Sequence, residues 1–291
     1  MINPVMVCSG TFGNGQEYSE FMDIRGLGAL VTKSVTLHPR PGNPPPRLWE
    51  TPSGLINSIG IENKGIERFL NEDLRFLKEY GLPVIVSISG TSIDEYVKVS
   101  ELLAVSGVVR GIELNVSCPN IEGGGVEFGY DPEACSELVR RVKEGSTVPV
   151  FVKLPPLAGN IGFLAEEVER AGADVISLIN TLPAMAIDVE TRRSRLGTLI
   201  GGLSGPAIHP VAVHLVWSVA RRVKIPIIGM GGVKDWRDAV EMFLVGARAV
   251  AVGTANFTNP QVASEIIEGI ERYLRGNKIG NIGEIVGALG R

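Results

Sequence analysis

Cysteine is scarce in this 291-residue chain, and its three copies lie far apart, at positions 8, 118 and 135. An odd number at such spacing excludes a disulfide framework and supplies neither a zinc site nor the four thiolates of an iron–sulfur cluster. Histidine is equally sparse: His38, His209 and His214 are scattered, and the last two are spaced too unevenly to share one helical face. A metal site is not expected. Long basic runs are absent and the formal net charge is −4, so there is no electrostatic footprint for nucleic acid or an anionic membrane. No stretch of about 18 apolar residues occurs, and Met1 to Met6 show no basic region leading into an apolar one. These absences leave a cytoplasmic protein acting on small molecules as the expectation.

What the chain does contain is ordinary globular material, 44% hydrophobic and 21% charged, together with 36 glycines. That is enough to bury a large core. Glycine also tolerates tight turns and close backbone approach to a ligand, so its abundance hints at a site built from loops. Short β-branched runs alternate with amphipathic stretches from about residue 29 to residue 275, the pattern of repeated βα units. Eight strands are predicted: Ala29–Val35, Pro83–Ser89, Gly111–Ser117, Pro149–Leu154, Asp174–Asn180, a weaker Leu199–Leu203, Pro226–Met230 and Ala249–Gly253. Asp131-Pro132, Asp235 and Asn259-Pro260 supply helix starts. No linker divides the chain, so the expected fold is α/β, a single (β/α)8 TIM barrel over residues 1–291 with its site at the C-terminal ends of the strands. Insertions at His38–Pro52, Glu122–Gly125 and Pro183–Thr198 fall after strands, on that face.

Along it lie Lys33, Ser87, Asn115 to Asn120, Lys153, Asn180-Thr181, Gly205, Gly231-Gly232 and Gly253-Thr254. Gly-rich turns after the last strands present backbone N–H groups to an anion, although any one Gly-Gly pair is equally ordinary turn chemistry. A lysine ending an apolar strand needs a partner, because a bare buried ammonium is costly. For Lys33 and Lys153 that partner is an anionic or electron-accepting ligand, or a barrel carboxylate such as Glu113. Cys118 stands in a loop that runs on to Gly123-Gly124-Gly125. There a thiol of pKa ~8.5 needs only a modest shift to act as a base; Cys8 and Cys135 lack such flanks and read as packing residues. A barrel lyase forming a Schiff base on Lys153 or Lys33 and a non-catalytic scaffold are the alternatives these residues leave open.

Several segments, spread over nearly the whole chain, resemble the dihydroorotate dehydrogenase family. They include Ser9–Gly13, Thr32–Val35, Asn57–Ile61, Asn115–Asn120, Val152–Leu154, Asn180–Leu182, Gly201–Pro206, Gly229–Gly232 and Gly253–Ala255. The resemblance implies that Ser9, Lys33, Ser34, Asn115, Lys153, Ile179, Gly205, Gly231, Gly232, Gly253 and Thr254 hold FMN. Ser87 stands where the family usually has a flavin-contacting asparagine, so a shorter hydroxyl replaces it there. Dihydroorotate is expected on Lys33, Asn57, Ser58, Ile59, Gly60, Ile61, Asn115, Asn180 and Thr181. Cys118 is the implied base and looks like that of the soluble class; the quinone-reducing class is expected to use serine and to carry an N-terminal extension not found in these residues. Gly60–Glu67 and Met185–Arg192 are more similar to the NAD-linked branch than to the fumarate-reducing one. That branch implies a homodimer with a second subunit carrying FAD and a 2Fe–2S cluster.

Overall fold

The computed structural model describes residues 1–116 and 128–290. Eight parallel strands close into a barrel: β1 (Val5–Val7), β2 (Ala29–Val31), β3 (Val84–Ile88), β4 (Val109–Asn115), β5 (Val150–Lys153), β6 (Val175–Leu178), β7 (Ile227–Met230) and β8 (Ala249–Val252). Spatial order follows chain order. Closure falls at β1, where Met6 is in register with Ala29 of β2 and Val5 with Val250 of β8.

Alternation along each strand divides the core in two. Met6, Ala29, Val31, Ile85, Met230, Ala249 and Ala251 belong to one cluster, whereas Val5, Val7, Leu30, Val84, Val86, Val250 and Val252 belong to the larger one that includes the helices. Apolar residues on both faces are what a parallel sheet needs when a barrel interior lies on one side and helices on the other. The helices α1 (Leu74–Tyr80), α2 (Ile93–Ala104), α3 (Pro132–Gly145), α4 (Ile161–Arg170), α5 (His209–Ala220), α6 (Trp236–Leu244) and α7 (Val262–Gly276) follow β2 to β8 in turn. Among the described residues, none of the helices is long and apolar enough to cross a membrane.

The capping residues act locally. Asp131 accepts from the N–H groups of Glu133 and Ala134 at the start of α3. Asp235 opens α6 with a reciprocal pair, its carboxylate accepting from the first turn while its own N–H donates to Asp238. Asn259 does not cap a helix directly: it accepts from the N–H of Gln261, one residue before α7 begins.

Two expectations about the barrel are corrected. Its first strand is Val5–Val7, which three residues after Pro4 are too few to reveal by periodicity, and only the 3-10 turns Tyr18–Glu20 and Ile24–Gly26 separate it from β2. The expected strand at Leu199–Leu203 exists as Gly201–Ser204 but lies outside the barrel, in an antiparallel sheet of order Leu48–Thr51, Gly54–Asn57, Gly201–Ser204, Leu182–Ala184. The glycines explain that destination. A Cβ on Gly202 would lie 2.0 Å from Thr181 Oγ1 and one on Gly201 2.7 Å from the Asn57 carbonyl oxygen, so both positions favour glycine. This sheet ties the excursion after β2 to the one after β6, pairing Gly202 with Asn57.

Truncating the fully buried Ile112 of β4 to alanine is expected to cost about 2–5 kcal/mol, as core deletions do. Urea unfolding would read this as a lower midpoint at unchanged slope; a midpoint equal to that of the wild type would contradict the packing described.

Candidate functional site

The strand C-termini and the two excursions enclose a cavity of about 340 Å³, within the range of small-ligand sites. Each wall follows from a local feature of the chain. The loops after β6, β7 and β8 contribute Gly205, Gly231, Gly232, Gly253 and Thr254. Gly231 and Gly232 have φ of +123° and +70°, and space is as restrictive as conformation. A Cβ on Gly232 would lie 2.7 Å from the Gly205 carbonyl oxygen and 2.9 Å from the His209 nitrogen. The turn therefore packs backbone against backbone at the start of α5. Thr254 donates to Ser204 Oγ at 2.8 Å, joining the β8 loop to the outer sheet.

Ser9, Ser34, Asn115, Lys153 and Ile179 line the same cavity. Asn115, last residue of β4, uses both halves of its amide: Nδ2 donates to Ser34 Oγ at 3.2 Å and Oδ1 accepts from Asn180 Nδ2 at 3.3 Å. The ends of β2, β4 and β6 are thereby joined through one side chain. Tyr96, buried on α2, donates its hydroxyl proton to the Asn115 carbonyl at 2.9 Å and braces that strand end. Lys153 is only 6% exposed, with Nζ 3.1 Å from Ser9 Oγ.

Lys33, Asn57, Ile59, Gly60, Ile61, Asn180 and Thr181 also line the cavity. Asn57 donates to the Gly202 carbonyl at 3.0 Å. Ile61, a β-branched residue at φ +55°, follows Gly60 at φ +73°, so this wall holds a backbone conformation that costs energy to maintain. Lys33 has a carboxylate partner, but it is Glu62 rather than Glu113, at 2.5 Å, and Glu62 is itself in the lining. The hydrogen bond from Lys33, with the Lys33, Arg47 and Lys64 charges behind it, holds the Glu62 carboxyl below its usual range against the opposing effect of burial.

Two residues expected in the site stand behind its wall. Ser58 is fully buried, its hydroxyl 2.6 Å from Thr198 Oγ1 and accepting from Asn43 Nδ2 at 3.0 Å. Ser87 is also fully buried, with Oγ 2.9 Å from that of Ser34, and so it touches the cavity through Ser34. Conversely, Thr11, Arg47, Glu62, Ser204, Met230 and Phe257 line the cavity without having been expected there. Thr11 and Ser204 lie inside the motifs Ser9–Gly13 and Gly201–Pro206 and were findable; Arg47 and Phe257 carry no such signal. Cys118, Pro119, Asn120 and Gly123–Gly125 lie outside the described residues. Of the other cysteines, Cys8 lines the cavity and donates to the Ala251 carbonyl at 3.3 Å. Burial pushes its thiol up to about 12, the Lys153 charge opposing this and the Glu113 charge adding to it. Burial likewise pushes Cys135 up to about 12, with the Asp131 charge assisting.

A closed β/α barrel whose mouth joins glycine turns to convergent amides and lysines is a barrel-enzyme architecture with room for a planar, polar ligand bearing an anionic group. Comparison with known proteins makes this particular: the family description of dihydroorotate dehydrogenase matches residues 1–274, and the chain belongs to that family of oxidoreductases. It is 49% identical over 287 residues to a protein of Thermoanaerobacter sp. (strain X514), covering 99% of this chain and 95% of the relative. A protein of Desulforamulus reducens is 51% identical over 288 residues, and one of Thermodesulfovibrio yellowstonii 50% identical over 287, each covering 99% of this chain and 95% of the relative. All three are named dihydroorotate dehydrogenase B (NAD(+)), catalytic subunit. Membership of an oxidoreductase family sets aside the Schiff-base lyase and the scaffold.

Two outcomes follow from this geometry. Because the folded-state pKa of Glu62 is depressed, its pairing with Lys33 stabilises the fold above the ordinary carboxylate range near ~4.3 and is lost as pH falls through the lower folded value. Unfolding free energy measured from about pH 6 to about pH 3 should therefore fall less steeply in Glu62→Gln than in the wild type; parallel curves would contradict it. Gly232→Ala should leave a folded barrel by circular dichroism but displace the turn at α5, weakening retention of a phosphate-bearing ligand roughly tenfold or more. Undiminished retention would mean that the turn does not bind the anion.

Proposed function

We propose that this chain oxidises dihydroorotate to orotate in de novo pyrimidine (UMP) synthesis, as the FMN-binding catalytic subunit of an NAD-linked enzyme. The carrying observation is one cavity in which the glycine turns after β6, β7 and β8 meet the amides of Asn115 and Asn180 and the ammonium of Lys153. The names of relatives about half identical to this chain support the same substrate and acceptor.

The residues present fit FMN. Gly231 and Gly232 form a turn too close to α5 for any Cβ, and together with Gly205, Gly253 and Thr254 they would hold the phosphate by backbone donors. Ser9, Lys33, Ser34, Asn115, Lys153 and Ile179 would hold the ring, Ser87 acting through its bond to Ser34. When bound, FMN accepts the hydride that leaves C6 of dihydroorotate. Asn115 and Asn180 offer both donor and acceptor atoms to the substrate amides, joined by Asn57 and Thr181. Lys33 would meet the substrate carboxylate in competition with Glu62, and Ile59, Gly60 and Ile61 would shape the surrounding wall, with Ser58 bracing it from behind.

The proton at C5 is assigned to Cys118. Loss of that proton with hydride from C6 leaves the C5–C6 double bond of orotate, so atoms and electrons balance. Cys8 and Cys135 carry thiols pushed up to about 12 by burial and would be poor bases at neutral pH. Lys153 supplies positive charge beside the ring that receives the electrons.

The three cysteines are too far apart in sequence to suggest an iron–sulfur site, so onward transfer to NAD is assigned to a partner subunit carrying FAD and a 2Fe–2S cluster, associated with a homodimer of this chain in the cytoplasm. The alternative acceptor, fumarate without a partner, is disfavoured by the NAD(+) and subunit names of the relatives.

The test is an anaerobic absorbance spectrum of the purified chain before and after dihydroorotate. A flavin band that bleaches is expected; no band, or no bleaching, would overturn the proposal. Cys118→Ala should retain FMN yet slow bleaching by about a hundredfold or more, as loss of a general base does. Equal rates would remove Cys118 from the role. Copurification of a second, iron-containing chain checks the acceptor.

A further inference from the structure

The cavity wall that would hold the FMN phosphate is short of positive charge. Among the described lining residues, those contributed after β7 and β8 include no lysine or arginine. A dianionic group held only by backbone amides and hydroxyls draws its electrostatic support from whatever stands behind them. Behind the Gly231–Gly232 turn stands His209, the first residue of α5 and 8% exposed.

Both nitrogens of this ring face acceptors. Nδ1 lies 2.9 Å from the Gly231 carbonyl oxygen, which can only accept. Nε2 lies 3.2 Å from Glu241 Oε2 and 3.7 Å from Asp238 Oδ1. A neutral imidazole has one N–H and one lone pair, so it would set that lone pair against a carboxylate oxygen; the imidazolium donates on both sides. The other oxygen of Asp238 accepts from the Lys234 N–H at 2.9 Å and faces Lys234 Nζ at 3.3 Å. The charged groups around the ring are thus Glu241 and Asp238 on α6, with Lys234 and Asp235 behind Asp238. The positive end of α5 opposes a charge at this position, while the two carboxylates and a phosphate beyond the turn favour it.

We propose that His209 is a positioning residue for the cofactor phosphate. As an imidazolium it fixes the Gly231 carbonyl away from the anion, holds the Gly231–Gly232 turn against α5, and places a full positive charge behind that turn. Gly232 is too close to His209 and Gly205 for any Cβ, so the ring's hold on Gly231 passes directly into the position of the Gly232 backbone. FMN affinity is therefore linked to the proton on His209. It is stronger with a proton on both ring nitrogens than with a proton on one.

This rests on the assignment of FMN to the cavity, and the experiment separates the two. Dissociation constants for FMN are measured on the full-length chain by recovery of free-flavin fluorescence, from about pH 5.5 to about pH 8.5, for wild type, His209→Asn, His209→Ala and Glu241→Gln. Asparagine can keep the bond to Gly231 but cannot be charged, so its profile records the titration of the FMN phosphate alone. Relative to that profile, wild-type affinity should be roughly tenfold stronger at low pH, the worth of one charge-assisted bond, and should converge on it at high pH. His209→Ala should bind more weakly at every pH. Glu241→Gln, altered at a side chain that is 57% exposed, should move the wild-type loss of affinity to lower pH, and it keeps the test decisive if substitution of the buried ring impairs folding. Wild type and His209→Asn with superimposable profiles, or Glu241→Gln indistinguishable from wild type, would overturn the proposal. A wild-type chain that takes up no FMN at any pH would instead overturn the cofactor assignment and this role with it.

Discussion

The pairing of β1 with both β2 and β8 is the constraint on which the molecule depends. Three residues, Val5–Val7, complete a cylinder that would otherwise be an open sheet with two bare edges. Closure gives the interior cluster of Met6, Ala29, Ile85, Met230 and Ala251 its common centre, and it brings eight strand ends to one rim. The last residues of β4 and β5 and the loops after β1, β2, β6, β7 and β8 meet around the cavity only because of it. Loss of β1 would separate Ser9 from Lys153 and Cys8 from Ala251, contacts that run from one end of the chain to its middle and its far end.

On that rim, polar groups are arranged by kind. Backbone and hydroxyl donors gather on the glycine loops, paired amides sit on Asn115 and Asn180, and lysines on β5 and just beyond β2. Fixed dipoles held by strands cost little reorganisation when charge moves, which suits an oxidoreductase site. Asn115 is central to this order because its amide is already committed on both sides, to Ser34 and Asn180, and its strand end is held by Tyr96. Outside the rim, the antiparallel sheet locks the Asn57 excursion to the Gly202 strand, so cavity-lining residues from distant parts of the chain share one support.

Legibility in the sequence followed the physics of each feature. Seven of the barrel strands were readable from continuous apolar runs, because two covered faces require them. Val5–Val7 was too short to carry a period, and Gly201–Ser204 looked like a barrel strand because apolar neighbours and extended backbone are common to both sheets. Lys33, Asn115, Lys153 and Asn180, singled out by their motifs, do line the cavity. Ser58 and Ser87 show the limit: their motifs lie at the site, yet each hydroxyl is turned to a buried partner, and strand or loop phase, not identity, decides which way a side chain points. The Lys33 partner was likewise expected as a carboxylate, but Glu62, 29 residues away in sequence, reaches it only because the outer sheet folds that excursion back.

By itself, then, the amino-acid sequence determined the barrel class, the rim as the place of chemistry, the glycine turns and most of the side chains around the cavity, since these rest on local pattern and residue type. Tertiary structure alone decided where the barrel closes, which strand leaves it, which serines face inward, and that His209 stands between the Gly231 carbonyl and two carboxylates of α6. The reason is that hydrogen-bond partners and buried charges are relations between distant segments. A histidine scattered in sequence acquires its chemistry only when the fold sets acceptors on both sides of its ring.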